Sequence, residues 1–483
     1  MTLWTAADAM AAIGGTGPLG WRAEGISIDT RTLVEGDLFV ALEGPNFDGH
    51  DFLPNAFAAG AVAAVVSRAD RAESGALIQV EDTLQALGDL GRAARQRTQA
   101  RILAITGSVG KTGAVQALVS ALEVQGVAHA SAHSYNNHWG VPLSLARMAS
   151  GSNYGLFEIG MNHAGEIGPL SHMVSPHVAL ITNVEAAHLA AFNSIEEVAA
   201  AKAEIFSGLQ AGGTAVINRD NAHYEQLREA ADAEGVDHFI TFGGASDADV
   251  RLLKMGLHGE CSCVRVDVMG ERITYKLGAP GRYLVMNSLG WLACLKALGA
   301  DLTRAALQWA GMRIFAGRGL HYIVDSVSGR FTLVDESYNA NPASMVAAIE
   351  TLGRARVSRQ AKRIAVLGDM MELGATADDW HRRLAPTIEQ ANVDLVFTCG
   401  PHMRNLYEAL PSRYRGGHGV DATALVPIVQ SVVGAGDVVM VKGSHDSRMS
   451  IVVQSLRSLE GGALLFSGDI SPATTNTATN GSV

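Results

Sequence analysis

The sequence predicts a three-domain α/β protein, and two patterns along the chain support this. Apolar runs without polar alternation recur between helical segments in two stretches, which begin near residues 101 and 331. Uninterrupted apolar strands are typical of parallel sheets that helices cover on both faces. The 483 residues, 48% of them hydrophobic, also suffice for about three domains of roughly 150 residues. We therefore expect two parallel-sheet domains, the first P-loop-like and the second Rossmann-like, after a smaller N-terminal one.

The order of these elements divides the chain into three predicted domains and a tail. Residues 1–98 hold short mixed elements and predict a small α/β domain, whereas residues 99–314 and 315–462 each carry the alternating pattern. Residues 463–483 are rich in Ser, Thr, Asn and Gly, which predicts a disordered tail. The predicted strands of the larger domains are 102–105, 155–157, 178–181 and 215–217, a β-like insertion at about 239–276, then 332–334, 364–367, 395–397 and 438–441.

Composition excludes several classes of protein. The net charge of -11 argues against a general surface for nucleic acid. The four cysteines are scattered and include no Cys-x-x-Cys pair, so they predict neither a disulfide framework nor a zinc site. The N-terminus has no targeting pattern, and no apolar run approaches about 20 residues. We expect a cytoplasmic monomer with no membrane insertion and no nucleic-acid partner.

A glycine loop follows the first predicted strand of the central domain and precedes a helix. Glycines allow backbone N–H groups to approach phosphate oxygens, and a helix N-terminus adds positive potential. The loop's lysine would reach the β- and γ-phosphates, and its threonine would hold magnesium. The spacing is shorter than in the usual phosphate loop, but the flanking strand and helix favour a phosphate site over a plain turn. The loop residues are Gly107, Ser108, Val109, Gly110, Lys111 and Thr112.

Two further candidate groups follow neighbouring predicted strands of the same domain. Glu158 ends the run at 155–157, and His188 follows the run at 178–181. Parallel α/β sheets bind ligands beyond the carboxyl ends of their strands, so these side chains suit magnesium and phosphate. Alternatively, Glu158 is a salt-bridged strand end and His188 a solvent-facing loop residue.

Lys202 occupies an unusual place within an apolar helical stripe that includes Val198, Ile205 and Phe206. An unpaired ammonium group there would be costly. The side chain therefore reaches solvent, meets anions, or loses its proton so that the neutral amine can react.

Read together, these residues resemble the Mur ligase family, which has three α/β domains and this short phosphate loop. The segment at 136–142 is similar to the family segment that contacts adenosine, which assigns Asn136 and Asn137 to the nucleotide. The segments at 158–162 and 183–188 resemble its magnesium motifs. The resemblance further implies that Lys202 is carbamylated and helps to organise a second Mg²⁺.

Other segments resemble one branch of the family. Segments at 335–342, 368–374 and 442–444 are similar to the branch that acts on D-alanyl-D-alanine, and segments at 27–31 and 47–50 to its UDP-sugar domain. The resemblance gives Asp335 to the nucleotide and brings Arg318 to the ATP phosphates. It implies substrate-binding roles for Asp29, Thr30, Arg31, Asp48, His50, Tyr338, Asn339, Asn341 and Lys442.

One segment departs from the family pattern. After Gly281-Arg282 the family often has His-Asn, but this chain has Tyr283-Leu284 before a predicted helix at 287–298. Of the nucleotide contacts in this segment, the resemblance therefore carries over only Asn287.

The resemblance implies an ATP- and Mg²⁺-dependent ligase in peptidoglycan synthesis. Its partners would be UDP-N-acetylmuramoyl-tripeptide and D-alanyl-D-alanine, joined through an acyl-phosphate. Two alternatives stay open: another amide-forming relative of the folylpolyglutamate or cyanophycin type, and a non-enzymatic nucleotide-binding regulator. A regulator would not need Glu158, His188 and Lys202 together.

Overall fold

The structure, a computed structural model, describes residues 2–68, 75–131, 134–187, 189–258, 261–312, 317, 319–459 and 463–464. The chain divides into two compact units. The first comprises Met1–Arg313 and Glu372–Gly374, and the second comprises Ile314–Met371 and Ala375–Val483. Within the described ranges, every helix is too short or too polar to cross a membrane.

The N-terminal region of the first unit contains a small parallel sheet with the strand order β3, β4, β7, β8. Ile26, Leu38 and Val65 form its buried core, which Leu143 and Ala146 of the central region also enter. The N-terminal and central regions therefore share one core. The elements are β1 (Trp4–Thr5), α1 (Ala6–Ile13), β2 (Arg22–Ala23), β3 (Gly25–Ser27), β4 (Asp37–Val40), β5 (Glu43–Gly44), β6 (Phe47–Asp48), α2 (Leu53–Ala58), β7 (Ala63–Val66), β8 (Leu77–Gln79) and α3 (Thr83–Gln96).

The central region is built on a nine-stranded sheet with the order β10, β11, β9, β12, β13, β14, β15, β16, β17. The elements are β9 (Arg101–Thr106), α4 (Lys111–Glu123), β10 (Ala128–Ala130), α5 (Gly140–Ala146), β11 (Tyr154–Glu158), α6 (Ile167–Val174), β12 (Val178–Ile181), α7 (Ile195–Ala203), β13 (Thr214–Asn218), α8 (Tyr224–Ala233), β14 (His238–Gly243), β15 (Val250–Leu257), β16 (Ser262–Val268), β17 (Glu271–Leu277), α9 (Arg282–Ala297) and α10 (Leu302–Gln308).

Both faces of this sheet are buried, as the uninterrupted apolar strands predict. Leu103 and Ile105 of β9 pack into the core that contains α4 and α9. Ile102 and Ala104 point to the opposite core, which contains α6 and α7. The carboxyl ends of β9, β11 and β12 consequently lie side by side at one sheet edge.

Two features of the central region differ from the expectation of a purely parallel sheet with a separate insertion. The insertion continues the sheet, in which β16 pairs antiparallel with both β15 and β17. Helix α9 begins at Arg282 rather than at residue 287, because Val285 adds a buried apolar contact one turn earlier. The divergent residues Tyr283 and Leu284 therefore lie in the first turn of α9.

The second unit has a seven-stranded sheet with the order β22, β21, β20, β23, β19, β18, β24. The elements are β18 (Leu320–Ser326), β19 (Gly329–Glu336), α11 (Pro342–Gly353), β20 (Arg363–Gly368), α12 (Ala377–Arg382), α13 (Leu384–Gln390), β21 (Leu395–Cys399), α14 (Met403–Ala409), β22 (Arg415–Gly419), α15 (Ala422–Gln430), β23 (Val438–Lys442), α16 (Ser450–Arg457) and β24 (Ala463–Leu464).

The edge of this sheet corrects two expectations. β18 and β24 run antiparallel, so the sheet is mixed. β18 is half-buried and alternates between polar and apolar residues, so it lacks the uninterrupted apolar run by which β19, β20, β21 and β23 were predicted. The predicted tail begins at residue 463, but Ala463–Leu464 pair with β18, and residues 465–483 lie outside the described residues.

Candidate functional site

The glycine loop joins the end of β9 to the start of α4, as its sequence predicts. Gly107 and Gly110 have φ angles of +145° and +90°, which side-chain-bearing residues rarely adopt. A Cβ at Gly107 would collide with the hydroxyl of Thr182, and one at Gly110 would lie 2.6 Å from Nδ2 of Asn287. Glycine is therefore required at both positions, because the positive φ angle and the neighbouring side chains exclude a Cβ.

The segment that follows β12 holds the loop in place. The Val109 N–H donates to Oδ1 of Asn183 at 2.9 Å, and the hydroxyl of Ser108 donates to the carbonyl of Glu185 at 3.0 Å. Thr182 donates its hydroxyl to the carbonyl of Val109 at 2.7 Å. These bonds fix the loop backbone in front of the N-terminus of α4, where N–H groups and the helix dipole favour phosphate.

Thr112, Glu158 and Asn136 meet beside this helix terminus. The Thr112 hydroxyl donates to one oxygen of Glu158 at 2.8 Å, and the Asn136 amide donates to the other at 2.7 Å. Glu158 is only 4% exposed. A hydroxyl and a carboxylate in contact here are the oxygen ligands that Mg²⁺ prefers, so these residues fit the metal. Glu158 forms no salt bridge with a described residue, which leaves that alternative without support.

Two lysines of the central region lie near one another. The Lys111 ammonium group donates to the carbonyl of Gly107 at 2.7 Å. Lys202 of α7 is 1% exposed, so its side chain does not reach solvent. Burial, together with the charge of Lys111, holds the pKa of Lys202 well below its usual value. Such a group suits a bound anion or a reactive neutral amine, the two alternatives that the sequence left open.

The other nucleotide candidates have different surroundings. Asn137 accepts the Gly140 N–H at 2.9 Å and so helps to start α5. Asn287 is buried in α9. Its side-chain amide lies against Gly110, where a Cβ would come within 2.6 Å of its Nδ2. The predicted residue His188 lies outside the described residues.

A cavity of about 440 Å³ adjoins the glycine loop. Its lining includes Glu185, His223, Tyr283 and Asn287. Burial raises the pKa of the Glu185 carboxyl above its usual value, although nearby His223 opposes the rise. Sequence analysis did not select Glu185 or His223. The only signal for Glu185 was an acidic residue inside the segment 183–188, and His223 had none, because it lies about 35 residues farther along the chain.

The N-terminal candidates form two separate groups of contacts. The Asp29 carboxylate pairs with the exposed Arg31 guanidinium at 2.6 Å, which lowers the pKa of Asp29. His50 is fully buried, and its Nε2 accepts the Ser67 N–H at 3.0 Å. Its proton therefore lies on Nδ1 and is donated to Asp48 at 2.7 Å.

Around this histidine the structure adds residues that the sequence analysis missed. Arg68 pairs with both Asp48 and Glu43. Arg68 and Ser67 follow β7 directly, a position that parallel α/β sheets use for ligands and that could have identified them. Thr30 lies between Asp29 and Arg31 and is half-buried, but it makes no hydrogen bond to Asp48 or His50.

Asp335 organises a turn of the second unit. Its carboxylate accepts the N–H groups of Gly317 and Ser337 at 2.8 and 3.1 Å and the Ser337 hydroxyl at 2.6 Å. The Gly319 N–H also donates to its backbone carbonyl at 2.6 Å. Asp335 thus binds the backbone on both sides of residue 318. Arg318 itself lies outside the described residues.

The remaining candidates of the second unit surround the start of α11. Lys442 is buried and donates to the Glu336 carboxylate at 3.2 Å and to the Asn339 carbonyl at 3.0 Å. Asn341 caps α11 by accepting the Ser344 N–H at 2.9 Å. Tyr338 is 40% exposed, and its ring lies 6.4 Å from that of His445. Residues 337–341 therefore form the turn between β19 and α11, and Lys442 ties this turn to β23.

Three parts of the chain match the domain models of one family. Residues 22–95 match the Mur ligase family catalytic domain, residues 105–295 the Mur ligase middle domain, and residues 322–445 the Mur ligase glutamate ligase domain. The three-domain architecture predicted from sequence is thereby confirmed. The boundaries at residues 98 and 314 stay predictions.

Proteins of known name are similar over most of the chain. It is 34% identical to the UDP-N-acetylmuramoyl-tripeptide–D-alanyl-D-alanine ligase of Escherichia coli (strain K12), over 90% of this chain and 94% of that one. The Rickettsia prowazekii (strain Madrid E) ligase of the same name is 30% identical over 89% and 94%.

A solved structure shares the fold over a similar extent. A MurF crystal structure from Acinetobacter baumannii has a TM-score of 0.83 and 28% identity, covering 94% of this chain and 98% of that one. With the sequence similarity and the three family matches, this establishes that the chain belongs to the Mur ligase family.

Proposed function

We infer that the chain is an ATP-dependent ligase that joins D-alanyl-D-alanine to UDP-N-acetylmuramoyl-tripeptide in peptidoglycan synthesis. The observation that carries this inference is the similarity, over about nine-tenths of both chains, to ligases named for this reaction. The Mur ligase domains in the same order support it. The reaction consumes ATP, so we place the protein in the cytoplasm. We also propose that it acts as a monomer.

The glycine loop is our proposed site for the ATP phosphates. Gly107 and Gly110 allow the backbone to approach the phosphate oxygens, and α4 begins directly behind them. The Lys111 side chain now bonds to the loop and would turn to the γ-phosphate, where its charge stabilises the transferring group. Arg318 would add a second positive charge.

Thr112 and Glu158 would hold Mg²⁺, together with His188. Mg²⁺, when bound, neutralises charge on the phosphates. Asn136 keeps the Glu158 carboxylate oriented toward Thr112. We further propose that Lys202 is carbamylated and that its carbamate helps to hold a second Mg²⁺. Its complete burial and the nearby charge of Lys111 support a neutral amine, the form that reacts with CO₂.

Amide formation from a free carboxylate needs activation, because a carboxylate oxygen is a poor leaving group. The terminal carboxylate of the tripeptide would attack the γ-phosphorus in line and release ADP. The amine of D-alanyl-D-alanine would then attack the acyl carbon, and the resulting tetrahedral intermediate would expel phosphate. The protein contributes position and charge, and no protein nucleophile is required.

The two peptide substrates are assigned to different units. Asp48 and His50, supported by Arg68, are proposed to bind the UDP-sugar with Asp29, Thr30 and Arg31. In the second unit, Tyr338 and Asn339 are exposed and are proposed to contact the dipeptide. Lys442, Asp335 and Asn341 would act there by holding the turn in shape.

The amine partner provides the test of this function. Purified protein is supplied with ATP, Mg²⁺ and UDP-N-acetylmuramoyl-tripeptide, and product is measured with D-alanyl-D-alanine, D-alanine, L-alanine or glutamate. We expect product formation to be fastest with D-alanyl-D-alanine and absent in a Lys111→Ala variant. Faster product formation with a single amino acid would instead favour another amide-forming member of the family.

A further inference from the structure

Four polar side chains around the cavity beside the glycine loop form hydrogen bonds that hold the cavity together. Asn183 accepts the Val109 N–H, and Asn218 accepts the Asp220 N–H at 3.0 Å. The Asp220 carboxylate accepts the N–H groups of Gly244 and Ala245. Asn221 donates to the Val184 carbonyl and accepts the His223 N–H. These four side chains shape the wall and have little capacity left for a ligand.

Three lining side chains differ from these. Within the described part of the chain, the Glu185 carboxylate, the Asn287 amide and the His223 ring form no hydrogen bond. Of these side chains, Asn287 is buried, with only 9% of its surface exposed, and Glu185 is half-buried. Their polar atoms are therefore free to bind a ligand, and three such side chains around one cavity indicate that the ligand is polar.

The position of the cavity indicates which part of ATP reaches it. Glu185 is bonded through its backbone to Ser108, and Asn287 lies against Gly110, so both flank the proposed phosphate loop. A nucleotide whose phosphates occupy this loop can place its base in the adjoining 440 Å³ cavity. An asparagine amide pairs with the N6–H and N7 of adenine. That leaves the second N6–H of the base without a partner.

We propose that Glu185 accepts this second N6–H and is a specificity-determining residue for 6-aminopurine nucleotides. A carboxylate only accepts hydrogen bonds, so it matches an amino group and not a ligand group that is itself an acceptor. The departure at Tyr283-Leu284 supports the assignment, because this chain lacks the asparagine that the family often has there. Glu185 would supply a second polar contact to the base.

This inference rests on the proposed ATP site but not on the peptide substrates, so the test uses nucleotide binding alone. Binding of ADP and of purine riboside 5′-diphosphate, which has hydrogen in place of the 6-amino group, is measured by calorimetry with Mg²⁺. The proteins are the full chain, Glu185→Ala, Glu185→Gln and the control Glu229→Gln. Glu229 is exposed on α8, away from the cavity lining.

We expect Glu185→Ala to weaken ADP binding about tenfold to a hundredfold, as for a hydrogen bond to a charged group. Binding of the purine analogue should change far less, and Glu185→Gln, which keeps a neutral acceptor, should lie between. The control should match the original protein. An equal loss for both nucleotides, or none for either, would overturn the inference.

One more arm separates the base from the sugar. If Glu185→Ala instead reduces the preference for ADP over 2′-deoxy-ADP and leaves the purine comparison unchanged, the carboxylate binds ribose and the inference is wrong. If the unsubstituted protein binds neither nucleotide, the proposed ATP-dependent function fails along with it. If ADP binds with unchanged selectivity in the variants, only the role of Glu185 fails.

Discussion

The central region and the second unit each contain candidate site residues predicted from the sequence, but the hydrogen bonding of these residues differs between the two. Around the glycine loop, Lys202 and Asn287 are buried without a hydrogen bond to any described residue. In the second unit, the side chains of Asp335, Asn341 and Lys442 all bond to backbone atoms of neighbouring segments. The first group is arranged for a ligand, whereas the second maintains the shape of a loop.

This contrast predicts different consequences of substitution. Removing a group that awaits a ligand lowers activity without weakening the fold, because few interactions within the protein are lost. Removing a group that binds the backbone leaves buried donors unpaired and destabilises the fold as well. A shared family motif therefore does not tell which of the two roles a residue has.

The largest effect is expected at Lys202. Lys202→Met should lower kcat/KM by at least about 10²- to 10³-fold if its carbamate stabilises charge on the transferring group. The free energy of unfolding should stay the same or rise, because a polar group buried without a hydrogen-bond partner among the described residues is removed. Steady-state kinetics and urea unfolding measure the two effects.

Two further variants sharpen this test. Lys202→Ala should regain some activity with small carboxylic acids, and Lys202→Arg should stay inactive because a guanidinium does not form this carbamate. Lys254→Met, at an exposed lysine of β15, is the control and should keep full activity. Full activity of Lys202→Arg would exclude the carbamate.

An intermediate effect is expected at Asp335. Asp335→Ala should reduce the free energy of unfolding by about 1–3 kcal/mol, because buried N–H groups of Gly317 and Ser337 lose their acceptor. Activity should fall as well, since the backbone at Gly317 loses a hydrogen bond that positions it. Urea unfolding and product formation test both expectations.

Asp325→Ala provides the comparison within the same hairpin. Its carboxylate pairs with Arg330 at 2.7 Å, but it is 47% exposed. Exposed ion pairs contribute little, so this variant should lose much less stability than Asp335→Ala. If Asp325→Ala destabilises the protein as much as Asp335→Ala, backbone bonding does not account for the difference.

The smallest effect is a pH dependence of stability at His177, a central residue with a structural role. Its Nδ1 accepts the Ile102 N–H at 2.9 Å, and burial lowers the pKa of His177 from 6.5 to about 4. The unfolded chain therefore binds the extra proton between pH 6.5 and 4, and stability falls as pH decreases through this range.

After allowance for its partial exposure, the contribution of His177 should be about 1–2 kcal/mol. His177→Asn, whose amide oxygen still accepts the Ile102 N–H, should lose less stability than the original protein between pH 7 and pH 4.5. The exposed His163→Asn is the control. Equal pH dependence in all three proteins would contradict this role.

The sequence by itself determined the fold class and the phosphate loop, because both follow from local patterns. Uninterrupted apolar runs identify buried parallel strands, and a glycine loop between strand and helix specifies its own backbone. Strand β18 escaped prediction because it is half-buried and lacks that pattern. The start of α9 was misplaced because Val285 is helical through its contacts in the core.

Only the tertiary structure decided which side chains meet and which remain available for a ligand. Thr112, Asn136 and Glu158 lie far apart in sequence and converge because β9 and β11 are neighbours. Likewise, Lys202 is buried, and the Asp335 carboxylate is engaged in hydrogen bonds within the protein. The sequence shows both only as polar residues in family motifs. Whether a polar side chain finds a hydrogen-bond partner depends on residues from other elements that pack against it. A local sequence pattern therefore does not encode it.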